Sequence, residues 1–190
     1  MEKNLTHIAL FAALIAALGL IPKIDLFAGV PITAQSLGIM LCGTVLGAKR
    51  GALAVLLFLA LVAVGLPLLA GGRGGLGVFA SPSVGFLVGF PIAAFVAGLV
   101  VERWKVGVGM AAFVGAAVGG IIVLYAVGIP GMMVMMAPDK LAAMPITQRL
   151  PVPLALALLY LPGDLIKAVI AGLVTQTIAQ MRPAALLSRA

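Results

Sequence analysis

The chain has 190 residues, of which 64% are hydrophobic and only 9% are charged, and its formal net charge is +7. A soluble domain is typically about 45–50% apolar and about 25% charged, so this composition excludes a water-soluble globular protein. The Lys and Arg residues are scattered between apolar runs and form no basic stripe, which argues against a partner made of nucleic acid. The sequence therefore predicts an all-α protein of the lipid bilayer, folded as a single domain over residues 1–190.

Six apolar runs are candidates for membrane-spanning helices, which need about 17–25 residues each. They cover residues 5–21, 33–48, 51–68, 83–101, 107–127 and 164–181. The first run is not a signal peptide, because it has no strongly basic start and no cleavage site, and similar runs recur along the chain. We therefore predict six transmembrane helices, which place both termini on the same side of the membrane.

The distribution of Lys and Arg predicts the orientation of these six helices. Seven Lys and Arg residues lie on the side of the termini and the short turns: Lys3, Lys49, Arg50, Arg103, Lys105, Arg182 and Arg189. Four lie on the opposite side: Lys23, Arg73, Lys140 and Arg149. Because positive residues accumulate on the cytoplasmic side, we predict cytoplasmic N- and C-termini and long outer loops.

The stretch "PVPLALALLYLP" (151–162) is apolar but too short to cross a bilayer. Pro162 and Gly163 follow, and this pair is expected to end any helix that precedes it. The sequence thus predicts an interfacial or re-entrant segment on the outer side, with the last helix beginning at Asp164.

Asp164 and Lys167 would then lie in the first turn of the last helix. Aspartate is a favoured N-cap, but a cation in the first turn opposes the helix dipole, so Lys167 has no simple structural explanation. We predict a functional role for Lys167. A structural ion pair with Asp164 and a lysine that snorkels to the interface remain open as alternatives.

Three predicted helix starts on the outer side share one chemistry. "VPITAQS" (30–36), "ASPSVGF" (80–86) and "LPGDLIK" (161–167) each combine a proline with Thr, Ser or Asp. Helix N-termini attract anions and carbonyl groups, so three of them would form a polar site open to the outside. Simple helix capping by Thr33, Ser81 and Asp164 is the alternative.

The glycine-rich loop "GGRGGLG" (71–77) lacks the GK[ST] ending of a phosphate-binding loop, so it predicts no nucleotide site. Its glycines would allow a close approach of the backbone to a ligand. Arg73 would contact a carboxylate or lie in solvent.

Two further patterns concern packing. Ala9, Ala13 and Ala17 repeat at four-residue spacing in the first span, as do Gly115 and Gly119 in the fifth, and such faces allow close helix contacts. "GMMVMM" (131–136) would suit a lid over an apolar ligand, although contact with the membrane is the preferred reading.

No residue set for catalysis or metal binding is visible. Cys42 lies alone in an apolar run, His7 has no second histidine or carboxylate cluster near it, and no Ser/His/Asp combination occurs. The sequence therefore predicts no enzyme and no cofactor.

Three motifs in order, "VPITAQS", "GGRGGLGVFASPSVGFLVGF" and "LPGDLIKA", resemble the BioY family over nearly the whole chain. The family usually has Pro-Thr before the fourth helix, where this chain has Pro82-Ser83. The resemblance implies a biotin-binding S component of an energy-coupling factor (ECF) transporter in a prokaryotic plasma membrane. Its partners would be the transmembrane and ATPase subunits, which alone use ATP, and Ala9, Ala13 and Ala17 would form the contact face.

The resemblance also implies roles for individual residues around biotin. Asp164 would accept hydrogen bonds from the ureido N–H groups, and Lys167, Thr33, Gln35 and Ser83 would donate to the ureido oxygen or the carboxylate. Four aromatic residues would pack against the apolar body: Phe79, Phe86, Tyr125 and Tyr160. Which end of biotin meets Asp164 and Lys167 stays open, as do the need for the ATPase module and homo-oligomerisation.

Three other functions remain open from the residues alone. The chain could be an S component for another anionic vitamin, or an intramembrane enzyme that uses Asp164 and Lys167. A purely structural subunit would bind no small molecule.

Overall fold

The computed structural model describes the backbone of residues 2–23, 32–135 and 151–189, with side chains from residue 4 onward and, in the last segment, from residue 158. Within these ranges the α-helices are α1 (Glu2–Leu18), α2 (Gln35–Leu46), α3 (Ala48–Ala63), α4 (Val84–Arg103), α5 (Val108–Ala117), α6 (Leu124–Met135) and α7 (Pro151–Met181). A π-helical turn, Val118–Val123, joins α5 to α6, and short 3₁₀ turns cover Leu76–Ala80, Pro183–Ala185 and Leu187–Arg189. Apart from isolated bridge positions at Ile32, Leu69 and Arg73, the described residues contain no β-structure. The all-α prediction is confirmed.

Three of the described helical segments are long and apolar enough to cross a membrane: Val84–Arg103, Val108–Met135 and Leu158–Met181. Two shorter apolar helices, Asn4–Leu18 and Gln35–Leu46, accompany them. Large apolar side chains such as Ile122, Ile166 and Leu173 are each 63% exposed on the outside of the bundle. Such a surface is stable only against lipid.

The prediction that Pro162 and Gly163 interrupt the chain is wrong. Helix α7 runs unbroken from Pro151 to Met181, so residues 151–160 are not a re-entrant segment and Asp164 is not an N-cap. Pro91 in α4 and Pro130 in α6 are likewise inside helices. In an apolar environment every unpaired backbone group is costly, so a helix that loses one hydrogen bond at a proline is favoured over one that ends there.

The fifth predicted span also ends later than residue 127. Helix α6 continues through Pro130 to Met135, so residues 131–135 form a helix and not a loop that could act as a lid. The side chain of Met132 is fully buried in the core, whereas Val134 is 80% exposed. Met136 lies outside the described residues.

Small residues set the distances between helices. A Cβ atom added to Gly115 would lie 2.6 Å from the carbonyl oxygen of Ala97, and one added to Gly119 would collide with the backbone of Ala93. The intramolecular packing predicted for Gly115 and Gly119 is therefore observed, with α4 as the partner helix.

The bundle has two distinct ends. Helices α2 and α4 both begin at one end, near the loop that connects α3 to α4. At the other end lie the tight α2–α3 turn at Gly47, the α4–α5 turn and the residues that follow α7. The polar residues singled out by the sequence lie at the first end.

Candidate functional site

A cavity of about 70 Å³ lies at the end of the bundle where α2 and α4 begin. Helices α2, α4, α6 and α7 contribute to its wall, together with the glycine-rich loop after α3. Nine of the ten predicted substrate-binding residues line it: Thr33, Gln35, Arg73, Ser83, Phe86, Tyr125, Tyr160, Asp164 and Lys167. Phe79 does not line the cavity, because its half-buried side chain packs against the hydrophobic core.

The centre of the site is an ion pair held by two neighbouring helices. Lys167 Nζ lies 2.8 Å from Asp164 Oδ1, and it also donates to Ser36 Oγ of α2 at 2.9 Å. Tyr125 of α6 donates its hydroxyl to Asp164 Oδ2 at 2.7 Å, and Ser36 Oγ lies 3.3 Å from Asp164 Oδ1. Because Asp164 and Lys167 are three residues apart inside a helix, both side chains lie on the face of α7 that is turned to α2 and α6. The ion pair that the sequence left open as an alternative is present.

This pair is largely removed from solvent. The side chains of Lys167 and Asp164 are 14% and 9% exposed, respectively. Charges so buried are stable only when paired and hydrogen-bonded, and each charge here has both a counter-charge and neutral hydrogen-bonding partners. The arrangement can therefore present a carboxylate and an ammonium group to a ligand without a net charge of its own.

Gln35 acts mainly as a link between chain segments. Its Nε2 donates to the carbonyl oxygens of Ile15 at 3.2 Å and Leu68 at 3.0 Å, while Ala70 N donates to its Oε1 at 2.9 Å. Both amide hydrogens are thus engaged, and the residue is only 2% exposed. Gln35 fixes the first turn of α2 to α1 and to the glycine-rich loop, so the donor role predicted for it would require these bonds to break.

The glycine-rich loop positions Arg73 at the cavity. Leu69 and Arg73 exchange two backbone hydrogen bonds at 3.0 and 3.2 Å, which closes a tight turn. Gly71 and Gly72 occupy this turn with φ values of 80° and 69°, a region that other residues rarely adopt. The Arg73 guanidinium then lies 3.4 Å from Ser83 Oγ, and within the described residues it forms no ion pair.

The two remaining helix starts are less strongly capped than the sequence suggested. Gln35 N donates to Thr33 Oγ1 at 3.3 Å, while Ser83 precedes α4 without a side-chain cap and shares a 2.8 Å hydrogen bond with Ser81. The prediction of three converging helix starts is corrected to two, since Asp164 lies within α7. Thr33 and Ser83 both line the cavity, and of the two only Thr33 bonds the start of its own helix.

Aromatic rings form the apolar part of the wall. The Tyr160 ring meets Phe86 and Tyr125 edge to face, with centroid separations of 6.3 and 6.4 Å. Such contacts hold the rings in fixed orientations, which suits a flat or bicyclic ligand.

Sequence reasoning missed several lining residues: Ser36, Ile32, Leu69, Leu87, Phe90 and Leu124. Ser36 lies inside the motif "VPITAQS", three residues after Thr33. This spacing places two side chains on the same face of a helix, so the sequence could have indicated Ser36 as a lining residue. Phe90 follows Phe86 by four residues, the spacing that places two side chains on one helix face. The aliphatic residues gave no such signal, because aliphatic side chains occur throughout the chain.

A second candidate surface is on α1. Ala9, Ala13 and Ala17 are all exposed, whereas Ala12 and Ile15 on the opposite face are buried at 2% and 0% exposure. Within the described ranges, the predicted contact face is therefore accessible and lies opposite the side of α1 that packs into the core.

The described residues contain no cluster of three or more His, Cys, Asp or Glu side chains able to hold a metal ion. The cavity instead combines an ion pair, an arginine, hydroxyl groups and aromatic rings. Such a site can bind a small anion with a polar ring and an apolar body.

Three comparisons with known proteins agree on the family. The model of the BioY family matches residues 2–184. The chain is 59% identical to the biotin transporter BioY of Rhodobacter capsulatus, over 100% of both chains, and 49% identical to that of Rhizobium etli, over 93% of this chain and 92% of the relative.

A solved structure shares the fold. The crystal structure of the S component for biotin from an ECF-type ABC transporter superposes with a TM-score of 0.82 at 30% sequence identity, covering 95% of this chain and 92% of the other. A match of this extent, together with the identity to full-length relatives, leads to one conclusion: the chain belongs to the BioY family.

Proposed function

We propose that this protein binds biotin and imports it across the plasma membrane as the substrate-specific S component of an ECF transporter. Its relatives in the BioY family are biotin transporters, and the solved structure of similar fold is a biotin S component. The observation that carries the proposal is the buried Asp164–Lys167 pair in an aromatic cavity that also contains Arg73.

The charges of the cavity suggest how biotin is oriented. The ureido group is neutral, donates two hydrogen bonds and accepts at its oxygen, which matches a paired carboxylate and ammonium such as Asp164 and Lys167. The carboxylate of biotin needs a cation, and Arg73 has no ionic partner among the described residues. We therefore place the ureido group at α7 and the carboxylate at the glycine-rich loop, where Ser83 can add a hydrogen bond.

The cavity must enlarge for this ligand. Small-molecule sites typically enclose about 300–1,000 Å³, whereas the space between the side chains is about 70 Å³. Arg73 is long and flexible and forms no ion pair within the described residues, so its displacement provides room while the Asp164–Lys167 pair stays in place. Tyr160 and Phe86 would then pack against the bicyclic body.

The same proposal covers the topology and the energy source. Six membrane-spanning segments with cytoplasmic termini would place the cavity on the outer side, consistent with the excess of Lys and Arg at the opposite end. ATP would be hydrolysed by partner subunits, and the exposed Ala9, Ala13 and Ala17 face supports their docking on α1.

Equilibrium binding of biotin to the detergent-purified protein tests the proposal, with thiamine and riboflavin as controls. We expect saturable, tight binding of biotin and none of the controls. A folded, monodisperse protein that binds no biotin would overturn the assignment, and binding of a different anionic vitamin would support the alternative left open by the sequence. The intramembrane enzyme is excluded, because the family consists of transport subunits.

A further inference from the structure

A second recess lies at the opposite end of the bundle from the biotin cavity. It is a surface groove of about 660 Å³ between the start of α3 and the end of α4, bordered by the residues that follow α7. Its lining contains four cations, Lys49, Arg50, Arg103 and Lys105, against one carboxylate, Glu102.

The carboxylate forms no ion pair with these cations within the described residues, and its single charge leaves the groove net positive. Glu102 Oε1 accepts a 2.8 Å hydrogen bond from Ala48 N, the first residue of α3, and so fixes the α2–α3 turn. In the described part of the chain neither Lys49, Arg103 nor Lys105 forms an ion pair. All three are exposed, so their charges are directed outward and are available to an anion.

Arg50 adds a cation that the fold holds in place. Its Nη1 donates to the carbonyl oxygens of Leu187 at 3.0 Å and Leu46 at 3.4 Å. No hydrogen bond from Nε or Nη2 is recorded within the described ranges, so part of the guanidinium remains available in a fixed orientation.

The lower part of the groove is apolar. Phe95, Leu99 and Arg103 lie four residues apart and therefore share one face of α4, with Phe95 about 12 Å along the helix axis from Arg103. Phe95 is 38% exposed. Because α4 is long enough to cross the hydrocarbon core, its end at Arg103 lies near the membrane surface and Phe95 lies within the acyl-chain region.

Trp104 supports this depth. It lies between Arg103 and Lys105, directly after the end of α4, and is 43% exposed. Tryptophan is enriched where the hydrocarbon core meets the headgroups.

We propose that this groove binds one anionic phospholipid, with its phosphate among the four cations and an acyl chain along Phe95 and Leu99. A soluble phosphate compound would use only the upper half of the groove and leave the apolar face uncovered. Basic pockets between membrane helices bind anionic headgroups in this way. The site is independent of the biotin cavity, which lies at the other end of α2 and α4.

Native mass spectrometry of the protein released from mixed phosphatidylglycerol and phosphatidylcholine nanodiscs tests the proposal. Each cation near a membrane surface contributes about 1 kcal/mol, or about fivefold in affinity. A variant with Lys49→Gln, Arg103→Gln and Lys105→Gln should therefore bind phosphatidylglycerol with an affinity on the order of a hundredfold lower than that of the wild-type protein. The matched control is Arg182→Gln, which removes an exposed cation outside the groove at the same end of the bundle and should leave retention unchanged.

Two further measurements separate lipid from other anions and from misfolding. Phe95→Ala should weaken phosphatidylglycerol retention with all cations in place, and inorganic phosphate should not displace the lipid. Biotin binding in each variant reports on folding and should be unchanged. Equal retention of the two lipids by the wild-type protein, or equal loss in the Arg182→Gln control, would overturn the proposal, as would displacement by inorganic phosphate.

Discussion

Replacing Lys167 by methionine tests the central pair of the proposed biotin site. Methionine keeps most of the length of the lysine stem but removes the ammonium group, which lies 2.8 Å from Asp164 Oδ1 and 2.9 Å from Ser36 Oγ. Asp164 would retain Tyr125 as a donor at 2.7 Å and Ser36 at 3.3 Å, but it would lose its counter-charge. Breaking a buried ion pair at one side costs about 3–5 kcal/mol. Since the lysine side chain is 14% exposed, we expect the lower value, about 3 kcal/mol.

The effect of Lys167→Met on biotin affinity should be separable from its effect on the stability of the protein. One hydrogen bond to a charged group contributes about 1.5–3 kcal/mol, so biotin affinity should fall about 10- to 150-fold in Lys167→Met. In the double variant Asp164→Asn/Lys167→Met the unpaired carboxylate is gone. We therefore expect it to regain part of the lost stability but none of the lost affinity.

Thermal unfolding and equilibrium biotin binding in one detergent provide both values. Arg182→Met is the control, because Arg182 is exposed at the opposite end of the bundle, outside both the cavity and the basic groove, and should change neither quantity. Biotin affinity within twofold of wild type in Lys167→Met would refute the role of the ammonium group. A double variant less stable than both single variants would refute the pairing argument.

Four other changes give distinct results. Gln35→Leu removes three hydrogen bonds and leaves the Leu68 carbonyl and the Ala70 N–H without these partners, while the Ile15 carbonyl keeps its bond from Gly19 N. It should therefore destabilise the protein by about 2–6 kcal/mol in thermal unfolding, at about 1–3 kcal/mol for each unsatisfied group. An unchanged melting temperature would contradict the linking role. Gly98→Ala places a Cβ atom against the backbone of Ala48, and unfolding should show a loss of about 1–3 kcal/mol or more; full stability would mean that the helices can separate there. Arg73→Gln should weaken biotin more than the biotin amide, which lacks the carboxylate, and equal losses for both ligands would place the carboxylate elsewhere. Ala13→Phe on the exposed face of α1 should reduce ATP-driven uptake while leaving biotin binding intact, and unchanged uptake would exclude this face as the docking surface.

Much of the site was predictable because its polar residues are rare in so apolar a chain. Asp164, Lys167 and Arg73 each stand out against a composition with 9% charged residues, and all three line one cavity. Phe79 could not be excluded from sequence, since it follows the same loop as Arg73 but its side chain packs into the core.

The boundaries of α6 and α7 were wrong for one physical reason. Proline predicts a helix end in water, where solvent can satisfy the freed backbone groups, but Pro130 and Pro162 lie inside continuous helices here. The continuity of α7 also changes the hydrogen-bond partners of Asp164. With α7 continuous, Asp164 has no N-terminal backbone donors of its own and depends on Lys167, Ser36 and Tyr125 from three helices.

The charge balance of the cavity also accounts for the sign of the ligand it would accept. Asp164 and Lys167 neutralise each other, so the remaining full charge is that of Arg73. The dipoles of α2 and α4, which both begin at this end, add partial positive charge. A cationic vitamin such as thiamine would lose its hydration beside Arg73 and gain a counter-charge only by taking Asp164 from Lys167, which would leave a buried ammonium unpaired. An anion can bind the Arg73 guanidinium directly and leave the Asp164–Lys167 ion pair intact. Selection for an anion therefore follows from the fact that the site holds one more cation than it has carboxylates, and it does not require a close steric fit.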